Sequence, residues 1–302
     1  MKPTLLILAA GMGNRYGGLK QVDPMGPSGE TLMEYGIYDA IKAGFGKAVF
    51  LFRDNIVSAF EDSYKKLEDH IELQYAFQEV NPDIITEGGK LNYAHREKPW
   101  GTAHAILSAA SAIDEPFAVI NADDFYGPSA YQVMSDYLQS VDTSKQQYGI
   151  VGYPVDKTLS SHGTVSRAVL EVNGQSTLHQ VVERTKIKEI DGEVKYFEDD
   201  QQITIPRGTL VSTNFWGFTP AIFDELQSQF AQFAAENGNN PRAEFYIPYA
   251  VNNLVETKAA TVTVLKCTDN WMGVTYKEDK HEVMNQINSY ISQGTYPNNL
   301  WN

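Results

Sequence analysis

The opening twenty residues constrain this chain more than any other stretch. Thr4-Leu5-Leu6-Ile7-Leu8-Ala9-Ala10 is a short apolar run, and it breaks at once into Gly11-Met12-Gly13-Asn14-Arg15-Tyr16-Gly17-Gly18-Leu19-Lys20. An apolar run of this length bounded by glycine predicts a buried strand that ends in a loop. Glycines let backbone N–H groups turn toward an anion with no Cβ in the way. One Arg and one Lys in the same loop can neutralise phosphate charge. The pattern reads as a phosphate-binding loop at the carboxyl end of a strand, where open α/β sheets place their ligands. Spacing excludes two common versions. The dinucleotide fingerprint needs a third glycine where Tyr16 stands, and the ATPase-type loop needs Ser or Thr after its Lys, where Gln21 follows Lys20.

Beyond the loop, apolar runs alternate with amphipathic stretches. Strands are expected at 4–10, 48–52, 73–78 and 117–121. Helices are expected from Glu30 to Ala43, with Gly44 as a stop, from Ile56 to Asp69, and after Gly101 to about Ala112. This β-α-β-α rhythm implies a parallel sheet with right-handed crossovers. The second half is richer in strands, at 148–154, 163–172, 179–187, 210–218 and 262–267. Helices are expected at 220–236 and 277–292, and the acidic, Gln-rich segment 198–202 reads as an exposed hairpin or loop. No repeat and no Gly-, Ser- or Pro-rich linker divides the chain, so one domain over 1–302 is expected, built from halves 1–147 and 148–302.

Charge narrows the partners. A net charge of −14 argues against nucleic acid or an anionic membrane surface. The cations near the glycine loop must then form a local positive island. A single cysteine, Cys267, permits no internal disulfide and fits a reducing cytoplasm. It reads as a small buried apolar residue rather than a nucleophile. The N-terminus has no basic segment of signal-peptide type, and no run approaches the ~20 apolar residues of a membrane span.

Leu8-Ala9-Ala10-Gly11-Met12-Gly13-Asn14-Arg15, followed by Lys20, resembles the opening signature of the sugar-nucleotide pyrophosphorylases, the sugar-1-phosphate nucleotidyltransferases of GT-A-like type. The resemblance implies a three-layer α/β fold with a mostly parallel central sheet, carrying a nucleotide in the first half and a sugar phosphate in a smaller, β-rich second half. It assigns Ala9, Ala10, Gly11 and Gly13 to the nucleotide, and Arg15 and Lys20 to its phosphates as catalytic cations. Asn121-Ala122-Asp123-Asp124-Phe125-Tyr126-Gly127 places paired carboxylates where a parallel strand ends, which suits a hard cation such as Mg²⁺. By the family match Asp123 is the catalytic metal ligand, and Asp124 stands where the family often has Asn. Pro99-Trp100-Gly101-Thr102-Ala103-His104-Ala105 resembles the turn under the nucleobase, which makes Gly101 and Thr102 nucleotide-binding. Read alone, it is a helix start capped by Thr102. Gln78 resembles a base-reading Gln, although the insert from Glu79 to Lys98 separates it from Gly101.

Three segments are expected to form the sugar-phosphate pocket. His162-Gly163-Thr164-Val165 resembles a glycine turn beside the sugar ring. Glu183-Arg184-Thr185-Lys186 resembles an element in which Glu183 would bind sugar hydroxyls, while Arg184 and Lys186 face the phosphate. Strand alternation puts Glu183 on the side away from those two cations unless the strand is bulged. Thr213 and Asn214, in Ser212-Thr213-Asn214-Phe215-Trp216-Gly217-Phe218, supply polar groups to the same pocket. In Asp269-Asn270-Trp271-Met272-Gly273-Val274-Thr275, Gly273 occupies the position of the family's second metal-binding Asp. Asp269 or Asn270 would take that role, or the site would use Asp123 and phosphates alone.

The implied reaction joins an NTP and a sugar 1-phosphate to give an NDP-sugar and pyrophosphate, with Mg²⁺. Two alternatives differ in class. One is nucleotidyl transfer to choline or polyol phosphate, with Trp216 and Trp271 as an aromatic cage. The other is a non-catalytic nucleotide-sugar-binding regulatory protein.

Overall fold

The computed structural model describes residues 1–10, 23–53, 64–86, 88–199, 201–274 and 276–302. Gly11, Gly13, Arg15 and Lys20 lie outside the described residues, as do residues 54–63 of the second expected helix. The first half runs β1 (Thr4–Leu8), α1 (Leu32–Lys42), β2 (Lys47–Phe52), β3 (Glu72–Phe77), β4 (Ile85–Thr86), β5 (Gly89–Lys90), α2 (Thr102–Leu107), β6 (Phe117–Asn121), β7 (Asp124–Phe125) and α3 (Pro128–Ser140). The second runs β8 (Gln147–Pro154), β9 (Val165–Val172), β10 (Leu178–Ile190), β11 (Glu193–Glu198), β12 (Gln201–Ile205), β13 (Leu210–Phe218), α4 (Ile222–Asn237), α5 (Ile247–Glu256), β14 (Thr261–Lys266), β15 (Met272–Gly273) and α6 (Asp279–Ser292).

Among the described residues one eleven-stranded sheet runs β12-β11-β10-β9-β13-β6-β1-β2-β3, with β8 against β13 and β14 against β8. Strands β6, β1, β2 and β3 are parallel, as the alternating pattern requires. From β13 outward the ladders are antiparallel, apart from the parallel pair β8 and β14. The four-stranded parallel block therefore belongs to the first half, and the antiparallel ladders of the second half make the whole sheet mixed.

Successive strand residues face opposite sides of the sheet, and both sides are covered. Leu5, Ile7, Phe50, Phe52 and Ile120 pack with Met33 and Ile37 of α1 and Tyr131 and Met134 of α3. Leu6, Val49, Leu51, Phe117 and Val119 pack with Ile106 of α2, Phe230 of α4 and Leu254 of α5. The near-continuous apolar runs of β1 and β2 follow from this two-sided burial. Helix α1 starts at a capping box: Thr31 Oγ1 accepts from Glu34 N at 3.3 Å, and Thr31 N donates to Glu34 Oε2 at 2.9 Å. It ends at Gly44, whose φ of 94° is the left-handed stop expected of glycine.

Two helices absent from the sequence expectation are α3 and α5. Each has Pro in its first turn, a start signal that was available. Residues 65–69, which the sequence expectation placed at the end of its second helix, form a 3-10 turn. Within the expected hairpin or loop segment, Glu198 pairs with Gln201 at the ends of β11 and β12, and Asp199 has φ 47°.

Candidate active site

The parallel register sets the centre of the site. Leu8, at the end of β1, is paired with Asn121, at the end of β6, and Ala122 N donates to Leu8 O at 3.3 Å. Ala9 and Ala10, the buried residues that lead into the glycine loop, therefore stand beside the Asp123-Asp124 turn. A cavity of about 680 Å³ opens there. It is lined by Thr102, Asn121, Asp123 and Asp124, by Ser166, Arg167 and Ala168 of β9, by Glu183 and Thr185 of β10, by Ser212, Thr213 and Asn214 of β13, and by Tyr246, Pro248, Trp271 and Val274.

A hydrogen-bonded ring braces the acidic turn. Asp124 Oδ2 accepts from Asn121 Nδ2 at 2.8 Å and lies 3.3 Å from Tyr126 OH. Tyr126 OH also reaches Thr213 O at 3.0 Å, and Asn214 Nδ2 donates to Asn121 Oδ1 at 2.7 Å. Asn214 has φ 72° and sits where the register of β13 against β8 shifts, between Ser212 and Trp216. Asn tolerates this left-handed conformation better than most residues, and the bulge turns Thr213 and Asn214 onto the cavity wall. Burial, then the neighbouring Asp123 charge, raises the Asp124 carboxyl to about 7.

Strands β7 and β15 pair so that Gly273 faces Asp124. A Cβ at Gly273 would lie 2.7 Å from Asp124 Oδ1 and would run into the Trp271 ring. The carboxylate that the resemblance placed at 273 has no room. Asp269 does not replace it: its Oδ2 accepts from Ser129 N at 2.6 Å, capping the start of α3, and it is not on the cavity wall. The expected metal ligand Asp269 is thus engaged at the start of α3, away from the described cavity wall. Asp123 and Asp124 offer hard oxygen donors, and two neighbouring carboxyls, one with a raised pKa, are the kind of pair a divalent cation would relieve. Among the described residues no three His, Cys, Asp or Glu side chains could hold a metal ion together. Asp123 and Asp124 alone would leave the rest of a divalent cation's oxygen shell to other ligands.

Gln78 stands next to Gly101 despite the insert. Its Nε2 donates to Gly101 O at 3.0 Å and lies 3.1 Å from His104 Nδ1. The insert folds aside because Arg96 is buried over the Trp100 ring at 3.8 Å and donates to Asn240 O and Ala243 O. Gly101 has φ 100°, and a Cβ there would lie 2.7 Å from Phe245 O, so only glycine fits this close crossing. Thr102 Oγ1 accepts from Ile247 N at 3.2 Å and so joins the start of α2 to α5 instead of capping its own helix. His104 packs against Phe230, and burial, with the Arg96 charge adding to it, pushes its pKa down to about 4.

Of the expected sugar-phosphate residues, Glu183, Thr213 and Asn214 meet at the cavity. Glu183 and Thr185, two apart, both line it. Arg184 does not: its Nη1 lies 2.6 Å from Glu198 Oε1, and its guanidinium stacks on Tyr196. The β9–β10 register shifts between Arg184 and Ile187, and Lys186, at φ 56°, lines a separate cleft with Lys188 and Asp199. Gly163 packs under the Tyr276 ring, outside the cavity lining. Arg184, Lys186 and Gly163, expected at the sugar phosphate, thus lie off the lining of this cavity. Sequence reading missed Arg167. It faces Arg184 across the β9–β10 ladder, a like-charge pairing that forces two guanidiniums to find separate partners, but the ladder partner was not legible from sequence. Arg167 lies 4.4 Å over the Trp271 ring and donates to Ser166 O at 2.7 Å and Thr158 O at 2.6 Å. With Trp216 fully buried against Phe218 and Trp271 carrying Arg167, the aromatic cage considered for choline is not open.

Solved structures share this fold. An inositol-1-phosphate CTP transferase from T. maritima matches with a TM-score of 0.60 at 15% identity, covering 95% of this chain and 96% of that one. An apo UDP-glucose pyrophosphorylase matches with a TM-score of 0.61 at 19% identity, covering 97% and 100%. A UTP–glucose-1-phosphate uridylyltransferase of Haloferax volcanii is 23% identical over 297 residues, 96% of this chain and 98% of that protein. The family described as nucleotidyl transferase matches residues 4–287. With the glycine- and arginine-bearing sequence that follows β1, the acidic turn after β6 and a match over residues 4–287, this protein belongs to the nucleotidyl transferase family.

Proposed function

We propose that the chain transfers a nucleotidyl group from an NTP to a sugar 1-phosphate, releasing pyrophosphate, as one domain with a nucleotide half and a sugar half. The observation that carries this reading is the Leu8–Asn121 pairing, which sets the start of the glycine loop beside Asp123 at the mouth of one cavity with Glu183. The similarity to a uridylyltransferase and to a UDP-glucose pyrophosphorylase supports UTP and glucose 1-phosphate as the first pair to test. No described helix is long and apolar enough to cross a membrane.

A phosphate monoester has a second pKa near ~6 and is largely dianionic at neutral pH. The attacking oxygen therefore needs no general base, and the work of the site is to bring two anions into line. Arg15 and Lys20 of the loop brace the triphosphate and the departing pyrophosphate. Gln78, whose Nε2 is engaged by Gly101 O and His104 Nδ1, is the proposed reader of the base edge. Glu183 accepts from sugar hydroxyls. Asp123, with Asp124 behind it, would hold a divalent cation such as Mg²⁺, which would supply charge neutralisation for the phosphate oxygens.

The test is pyrophosphate release from a panel of four NTPs against sugar 1-phosphates and inositol 1-phosphate, with and without Mg²⁺. Arg15→Ala and Asp123→Ala are each expected to cost about 10²–10³ in kcat with the fold intact. Either variant keeping most of the wild-type kcat refutes its assigned role, and a wild type silent with every pair refutes the reaction.

A further inference from the structure

We propose that Arg167, not Arg184 or Lys186, grips the phosphate of the acceptor in this cavity; the inference rests on the nucleotidyl-transfer reading above. The cavity is acidic, lined by Asp123, Asp124 and Glu183, and among the described residues Arg167 is the one cation on its wall. A dianionic acceptor phosphate entering between these carboxyls needs a positive partner on the acceptor side. The two cations that the sequence pattern offered there are engaged elsewhere, Arg184 with Glu198 and Lys186 in a separate cleft.

The geometry of Arg167 suits this task. Its guanidinium plane is fixed by the Trp271 ring, and two of its N–H groups are tied to Thr158 O and Ser166 O. Five donors minus two leaves three. One of them, the buried Nε–H, has no hydrogen-bond partner among the described residues. A planar fork, held in place before the ligand arrives, matches the bidentate geometry of a phosphate and loses little freedom on binding. The charges of Asp124 and Glu183 both act on Arg167. It therefore sits between the acidic turn on the nucleotide side and the carboxylate that would accept from sugar hydroxyls. A phosphate on Arg167 places the sugar toward Glu183 and the attacking oxygen toward Asp123.

A purely structural role, in which Arg167 only staples Thr158 to the strand, makes a different prediction. Initial rates of pyrophosphate release would be measured for the wild type, Arg167→Lys, Arg167→Met and Arg184→Ala, each with a thermal melt. Loss of a charge-assisted phosphate contact is expected to raise the KM for glucose 1-phosphate about 10- to 100-fold in Arg167→Met. Arg167→Lys keeps the charge but not the fork, so its rise is expected to be smaller. The KM for the NTP should stay within about twofold in both, and Arg184→Ala should leave both KM values near wild type. A lowered melting temperature with an unshifted acceptor KM in Arg167→Lys and Arg167→Met overturns the proposal. Titration calorimetry with glucose 1-phosphate alone separates this outcome from failure of the transfer reaction. Weaker binding by the Arg167 variants supports the proposal even if turnover is absent, and equal or no binding by wild type and variants overturns it.

Discussion

His104 should make the protein acid-labile in a defined window, and the size of the effect follows from its surroundings. The ring is buried between Phe230 and the Gln78 amide, and its pKa falls from 6.5 to about 4. Because the folded-state pKa lies below the unfolded one, the unfolded chain binds the extra proton first as pH drops. Stability is then fully present above pH 6.5 and is lost on acidification, by up to ~1.36 kcal/mol per pH unit, until the folded ring also titrates near 4. The loss is about 2 kcal/mol at pH 5 and about 3 kcal/mol in all. His104→Asn removes the titration while keeping an acceptor for Gln78 Nε2. Urea unfolding of both proteins from pH 8 to pH 4 isolates the His104 contribution as the difference between the two stability curves. That difference should tilt against the wild type below pH 6.5. A difference that stays flat to within ~0.5 kcal/mol over the whole range would falsify the argument that burial holds this ring neutral.

Two other substitutions test the backbone of the site. Gly101→Ala is expected to destabilise by about 2–4 kcal/mol, since it forces φ 100° on a residue with a Cβ and drives that Cβ to 2.7 Å from Phe245 O; a urea midpoint shift under ~0.5 kcal/mol refutes this. Asn214→Gly keeps the left-handed bulge and loses only the amide to Asn121, so stability should change by about 1 kcal/mol while kcat/KM falls roughly tenfold. Asn214→Ala should unfold about 1–2 kcal/mol more easily than the Gly variant, and equal melting of the two would show that the backbone conformation carries no cost.

Much of the parallel half was legible because its signals are local. The runs at 4–10 and 48–52 are buried on both faces, and length, composition and flanking glycine suffice to recognise such strands. Asp123 and Gln78 follow the ends of parallel strands, and such ends gather at one edge of the sheet. The acceptor side resisted because its geometry depends on pairing between distant residues. Alternation along β10 alone could not show that its register slips after Arg184, or that Arg184 faces a second arginine across the ladder. Nor could it show that Glu198, fourteen positions on, would draw Arg184 away. Arg167 carried no motif of its own, and only the fold brings it onto Trp271.

Position 273 shows how one ladder pair can decide which strand carries an acidic group. The family pattern expects an Asp at 273 and often an Asn at 124, whereas this chain has Gly273 and Asp124. The two are direct neighbours across β7 and β15, and the Asp124 carboxyl lies where a side chain from 273 would begin. Two carboxyls crowded into that buried space, beside Asp123, could not all ionise. The glycine is therefore a condition of the aspartate, and moving the carboxyl from one strand to its partner leaves the cavity with two acidic groups at the turn, as the family pattern would. What differs is the support. Here the carboxyl on β7 is held by Asn121 and Tyr126, and through them by Thr213 and Asn214. The acidic turn and the bulge of β13 are thus one hydrogen-bonded unit, so a change on the acceptor wall should be felt at the acidic turn.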